Sequence, residues 1–229
     1  MDAPTVTVRD QFAAVIATLN AAFGPCWPAA AVDPLDELVN TILSQNTNDA
    51  NRDRAFAALR ARYADWSVVR DAPLAEVIET IRPAGLANQK AARIQAVLRA
   101  ITAELGDLSL AFLADLPPAE ALAWLRQFKG VGPKTATIVV LFALGQPTFP
   151  VDTHIYRITG RLGLRPAHMS AEAAHDYFAA LLPDAMTGQE AYTLHLNLIR
   201  LGREVCRARQ PRCGVCPLRE LCQYEPKLE

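Results

Sequence analysis

Apolar residues recur at helical spacing along almost the whole chain: Phe12, Val15, Ile16 and Leu19, then Leu35, Leu38, Val39 and Ile42, then Ile94, Val97, Leu98, Ile101 and Leu105. Steps of three and four put such residues on one helix face, whereas a half-buried strand needs alternation, and no stretch alternates for long enough. The breaks between segments carry helix-start signals. Asp33-Pro34 supplies a capping carboxylate and then proline at the first helical position, and Pro73-Leu74, Pro117-Pro118 and Ser170 mark further starts. The pattern predicts an all-α protein of roughly ten short helices, each about three to four turns long. Proline and glycine are dispersed, and there is neither an internal repeat nor a low-complexity linker.

The 229 residues are 51% hydrophobic and 21% charged, which excludes wholesale disorder. The longest strictly apolar run, Ile138 to Leu144, is too short to cross a bilayer, and the Met1-Asp2 start has no basic segment leading into an apolar one. A soluble, unexported, cytoplasmic protein without a membrane partner is expected. The formal net charge of −1 argues against a uniformly basic surface, but its distribution is uneven. Residues 1–50 carry −5, while residues 126–165 and residues 200–219 carry +5 each.

The first basic stretch holds the most suggestive local chemistry. A helix ending near Gln127 is followed by Phe128-Lys129-Gly130-Val131-Gly132-Pro133-Lys134-Thr135-Ala136 and then an apolar helix through Leu144. Gly130 can end the first helix at positive φ, and Pro133 suits the first position of the second. The product is a helix-hairpin-helix whose backbone amides can hold a phosphate without reading sequence, or else an ordinary turn between two helices. Lys134 falls in the first turn of the second helix, where the helix dipole disfavours a cation. Only four lysines occur against 19 arginines, so a lysine here points to an amine nucleophile as well as to a plain surface charge. Eighteen residues on, Pro150-Val151-Asp152-Thr153-His154-Ile155 restarts the helical pattern, with Asp152 as N-cap, as a functional carboxylate, or as both. His154 reads as a packing and hydrogen-bonding residue. His168, His175 and His195 show no metal-ligand spacing with one another.

Four of the five cysteines fall within 17 residues, in the spacing Cys206-x6-Cys213-x2-Cys216-x5-Cys222. In a chain expected to stay inside the cell, such clustering points to a metal site before disulfides, and four thiolates suit tetrahedral zinc or an iron–sulfur cluster equally. Arg207, Arg209 and Arg212 lie among these cysteines, so the loop also presents positive charge. Cys26 reads as a buried thiol.

Taken in order, Gly130-Val131-Gly132-Pro133-Lys134, Val151-Asp152-Thr153-His154 and the 6-2-5 cysteine loop resemble the endonuclease III family of DNA glycosylases, within the helix-hairpin-helix glycosylase superfamily. The similarity runs from about Leu35 to Tyr224. It implies an all-α fold of two domains: a six-helix barrel over residues 28–146, and a discontinuous iron–sulfur domain over 1–27 and 147–229. It also implies one [4Fe–4S] cluster on Cys206, Cys213, Cys216 and Cys222. By position, Lys134 corresponds to the nucleophile that attacks C1′ of a damaged nucleoside, and Asp152 to the carboxylate that stabilises charge on the sugar. Gly130, Val131 and Gly132 correspond to the phosphate-gripping hairpin; Arg207 and Arg209 are expected as further DNA contacts from the positive charge of the cysteine loop.

In Ser44-Gln45-Asn46-Thr47-Asn48-Asp49, Gln45 and Asn46 correspond to the loop that fills the space left by a flipped base, and Leu86 to the wedge inserted beside it. Phe128-Lys129 stands where Leu-Pro is typical, and Ala84 where a bulkier apolar residue is usual. The resemblance implies base-excision repair by a bifunctional N-glycosylase and abasic-site lyase, removing oxidised pyrimidines from double-stranded DNA through a lysine Schiff base. The expected protein is a monomer, nucleoid-associated if bacterial. A monofunctional glycosylase, a branch that typically lacks the lysine and adds a C-terminal domain, and a DNA-binding module without turnover are the alternatives.

Overall fold

The computed structural model describes residues 7–26 and 30–225. Among these, eleven α-helices occur and no strand: α1 (Val8–Phe23), α2 (Pro34–Ser44), α3 (Asp49–Arg62), α4 (Trp66–Asp71), α5 (Leu74–Thr80), α6 (Ala87–Leu105), α7 (Pro118–Arg126), α8 (Pro133–Phe142), α9 (Thr153–Arg161), α10 (Ala171–Ala179) and α11 (Gly188–Glu204). The sequence signals coincide with real helix starts. Asp33 accepts from the amides of Leu35 and Asp36 with Pro34 at the first helical position, Ser170 accepts from Ala173, and α5 and α7 begin directly after Pro73 and Pro117. The described residues contain no helix long and apolar enough to cross a membrane.

The chain divides into two compact units, residues 30–144 and residues 1–29 with 145–229. The sequence-based boundary at 27/28 lies outside the described residues. In the continuous unit, α2 packs on α8, α3 and α6, while α4 and α5 pack on α6, and α7 on α8. The spacing of Leu35, Leu38, Val39, Ile42 and Leu43 makes α2 the central member, since all five are buried. Each such side chain contributes on the order of 1.5–3 kcal/mol when removed from water. Trp124 lies edge-on between Phe112 and Phe128, with ring centroids 5.0 and 4.8 Å away. Phe128 is thereby anchored immediately before the hairpin.

In the discontinuous unit, α11 packs against α9 and α1. Phe12, Phe149 and Phe178 form an aromatic core with centroids 5.2–5.7 Å apart. Both long helices of this unit that open on threonine, α1 and α11, carry capping boxes, Thr7 with Asp10 and Thr187 with Glu190. Gly202 lets α11 approach α9 closely, because a Cβ there would meet the His154 ring at 2.7 Å.

Candidate functional site

The helix-hairpin-helix forms as the glycine and proline positions require. Gly130 takes φ +97°, Gly132 precedes α8 in extended conformation, and Pro133 is the first residue of α8. The Val131 amide donates to the Phe128 carbonyl at 3.0 Å, and the Val131 side chain is buried at 4% exposure. Val131 therefore fastens the turn to the core with an amide already committed, and Gly130 and Gly132 bracket it. No side chain caps α8, which leaves its first amides for an external acceptor. Helix α8 ends at Phe142, two residues short of the expected end. Leu144 still packs on the same core, and Gly145 at φ +64° turns the chain away.

Lys134 is the second residue of α8 and is exposed, so burial does not desolvate its amine. Asp152 is the N-cap of α9, half-buried, and its Oδ1 accepts from the Ile155 amide at 2.8 Å. The capping role and a functional carboxylate are compatible, since capping fixes the side chain. His154 is half-buried, with Nδ1 3.1 Å from Nη2 of Arg157, in keeping with a packing and hydrogen-bonding role.

Of the residues matched to the gap-filling loop, Gln45 is half-buried and Asn46 is exposed with φ +52°. Asn48 closes the loop by capping α3, accepting from the Asn51 amide at 2.9 Å. Leu86 is 48% exposed at φ +48°, a left-handed backbone rare for leucine, directly before α6. Such strain persists only where surrounding structure holds it, and it presents an apolar side chain to solvent at the tip of a turn. Ala84, two residues earlier, is fully buried and thus belongs to the core and not to the wedge.

Two functional-looking residues carried no sequence signal. Lys90 is 2% exposed, and its Nζ donates to the carbonyls of Leu43 and Ala84 at 2.7 Å each. Burial holds its ammonium below the usual lysine range. It ties the end of α2 to the turn that carries Leu86. Arg93, one helical turn along, donates from Nη1 to Oε1 of Gln45.

In the discontinuous unit, Cys206, Cys213, Cys216 and Cys222 line one cavity of about 30 Å³ together with Arg161, Arg212, Arg219 and Tyr224. All four thiols are free, so the loop holds no disulfide. Among the described residues no three ligand side chains are gathered tightly enough to hold a single metal ion as they stand. Burial raises the Cys216 thiol above its ordinary range, and the three neighbouring cysteines raise it further. Thiolates gathered here need positive charge to offset that cost, which an iron–sulfur core supplies.

Helix α9 holds the loop. Arg157 donates from Nε to the Cys206 carbonyl and from Nη2 to the Gly202 carbonyl, both at 3.0 Å. Arg161 reaches the Cys206 sulfur at 3.3 Å and the Arg207 carbonyl at 2.7 Å, while its guanidinium lies 4.4 Å from the Tyr224 ring centroid. Arg207 and Arg209 are exposed. Cys26, expected to be buried, is half-buried, with its sulfur 3.6 Å from Asn197 Oδ1.

An all-helical fold with a hairpin opening on a lysine, and a separate four-thiol loop, defines a narrow class, and sequence comparison agrees. The family described as HhH-GPD superfamily base excision DNA repair protein matches residues 39–183, and the iron–sulfur binding domain of endonuclease III matches residues 206–222. Endonuclease III of Sulfolobus acidocaldarius is 32% identical over 189 residues, covering 82% of this chain and 80% of that protein. The chain belongs to the endonuclease III family of the helix-hairpin-helix superfamily. The DNA glycosylase/AP lyase ROS1 of Arabidopsis thaliana is also 32% identical, over 70% of this chain. The chain spans only 12% of ROS1 and 52% of another plant relative. A trapped covalent intermediate of endonuclease III with DNA superposes with a TM-score of 0.78 at 28% identity, covering 94% of this chain and 95% of that one.

Proposed function

We propose that this chain is a bifunctional DNA N-glycosylase and abasic-site lyase that removes oxidised pyrimidines from double-stranded DNA. The observation that carries the reading is Lys134, an exposed amine at the second position of α8, directly after the Gly130–Gly132 hairpin. Of the other lysines among the described residues, Lys90 is buried on two carbonyls and Lys129 lies in the turn itself. The Gly132 amide and the uncapped first-turn amides of α8 suit a phosphate, which would hold the sugar-phosphate backbone beside the amine.

The chemistry follows from an amine meeting a sugar. The unprotonated Nζ of Lys134 attacks C1′, the bond from C1′ to the base breaks, and the base leaves with its electron pair and takes a proton. Ring opening gives a Schiff base between Nζ and C1′. Loss of a proton from C2′ then expels the 3′ phosphate by β-elimination and cuts the strand. Asp152, held in place by the Ile155 amide, stabilises positive charge on the sugar and assists these proton transfers. The loop carrying Gln45 and Asn46, together with Leu86, would fill the space vacated by the flipped base.

Cys206, Cys213, Cys216 and Cys222 would hold a [4Fe–4S] cluster, a reading supported by four free thiols lining one cavity. When bound it cross-links the 206–222 loop and fixes Arg207 and Arg209 for phosphate contacts. The reading is tested on duplexes containing thymine glycol, uracil or an abasic site under single-turnover conditions. Base release from thymine glycol together with strand cleavage is expected; release without cleavage would replace it with a monofunctional glycosylase, and tight binding without product with a DNA-binding module.

A further inference from the structure

Arg93 has no place in the chemistry above, yet it joins two pieces of the DNA-facing machinery within the continuous unit. Its Nη1 donates to Oε1 of Gln45, in the loop matched to gap filling. Its side-chain stem passes over the hairpin glycine: a Cβ on Gly130 would meet Arg93 Cδ and Nε at 2.8 Å. The missing side chain of Gly130 is thus the space Arg93 occupies, apart from the φ of +97° that glycine also permits. Lys90, three residues earlier on α6, binds the carbonyls of Leu43 and Ala84, on either side of the same region. One face of α6 therefore fastens the end of α2, the Leu86 turn, the Gln45 loop and the hairpin.

We propose that Arg93 is a positioning residue which holds Gln45 against the hairpin at Gly130, so that Gln45 braces the loop and Asn46 alone carries its side chain into the space left by the flipped base. The inference rests on the glycosylase reading. A half-buried Gln45 whose amide oxygen is held by a guanidinium is poorly placed to leave it, because departure strands a charged donor. Asn46, exposed and in the left-handed region, projects from the same turn without that restraint.

The test is a double-mutant cycle on the full chain with its cluster, using Arg93→Met, which keeps the stem over Gly130, Gln45→Ala, and both together. Binding is read by fluorescence anisotropy on a duplex containing a tetrahydrofuran abasic-site analogue and on the same duplex undamaged, with thermal melting recorded beside it. Each single change is expected to weaken binding to the analogue duplex about fivefold, and the double change no more than either, as for two residues acting as one unit. Binding to undamaged duplex weakens less than binding to the analogue duplex, which general loosening of the fold would not allow. Arg93→Lys, keeping a donor and the stem, falls between Arg93→Met and wild type. Asn46→Ala loses more than Gln45→Ala.

Multiplying losses in the double variant, equal weakening on both duplexes, or a larger loss for Gln45→Ala than for Asn46→Ala would each overturn the brace. If wild type itself shows no preference for the analogue duplex, the glycosylase reading fails first and the brace falls with it.

Discussion

Glu37 shows how a single residue's surroundings govern its charge. It sits buried on α2, accepts from the Thr41 hydroxyl at 3.0 Å, and burial raises its carboxyl above the usual range despite the opposing effects of Thr41, Arg52 and Asn40. The folded protein keeps this proton to a higher pH than the unfolded chain does. Its contribution to stability is therefore complete below the unfolded value and is lost as pH rises through the folded one. Glu37→Gln keeps an acceptor for Thr41 without the charge. Urea midpoints are expected to favour the Gln variant progressively more over wild type between about pH 4 and pH 7; a constant difference would contradict the assignment. Asp33, Asp152 and Ser170 were legible from sequence because a cap acts on amides two or three residues away. Glu37, Lys90 and Arg93 were not, since their partners or their burial depend on residues brought together only by the fold.

At the level of elements, α9 links two features that sequence reading treats separately. Its first turn is capped by Asp152, while Arg157 and Arg161 along its length grip Cys206 and the residues that follow. The helix start and the cysteine spacing were each visible as local patterns. The connection between them was not, because an arginine binding a carbonyl 49 residues away leaves no periodicity. Removing the Arg157 guanidinium strands the carbonyls of Gly202 and Cys206, at a cost of about 1.5–3 kcal/mol for a charge-assisted bond. Arg157→Ala is expected to purify with a lower iron-to-protein ratio and a lower melting temperature, measured by iron assay and by the visible absorbance of the protein. Wild-type iron content in that variant would show that α9 does not hold the loop. The end of α8 was misplaced for a complementary reason: the apolar run continues into Leu144, which packs on the core without remaining helical.

Across the whole molecule, the net charge of −1 conceals segments of +5 at residues 126–165 and 200–219, which contain the hairpin lysine and the cysteine loop. Affinity for DNA follows the charges that touch phosphate and not the total, so an overall acidic balance is compatible with a DNA partner. The all-α architecture was legible because helical periodicity and start signals agree along the chain. Division into two units was not signalled by composition, since no linker marks residue 30 or residue 144; it followed only from the family resemblance. The central claim, that Lys134 is the nucleophile, is tested most directly by borohydride trapping on a thymine glycol duplex followed by peptide mapping of the adduct. The account predicts a covalent protein–DNA complex with the modified peptide carrying its adduct on Lys134, and its loss in Lys134→Ala. Trapping that persists in Lys134→Ala, or an adduct on another residue, would contradict it.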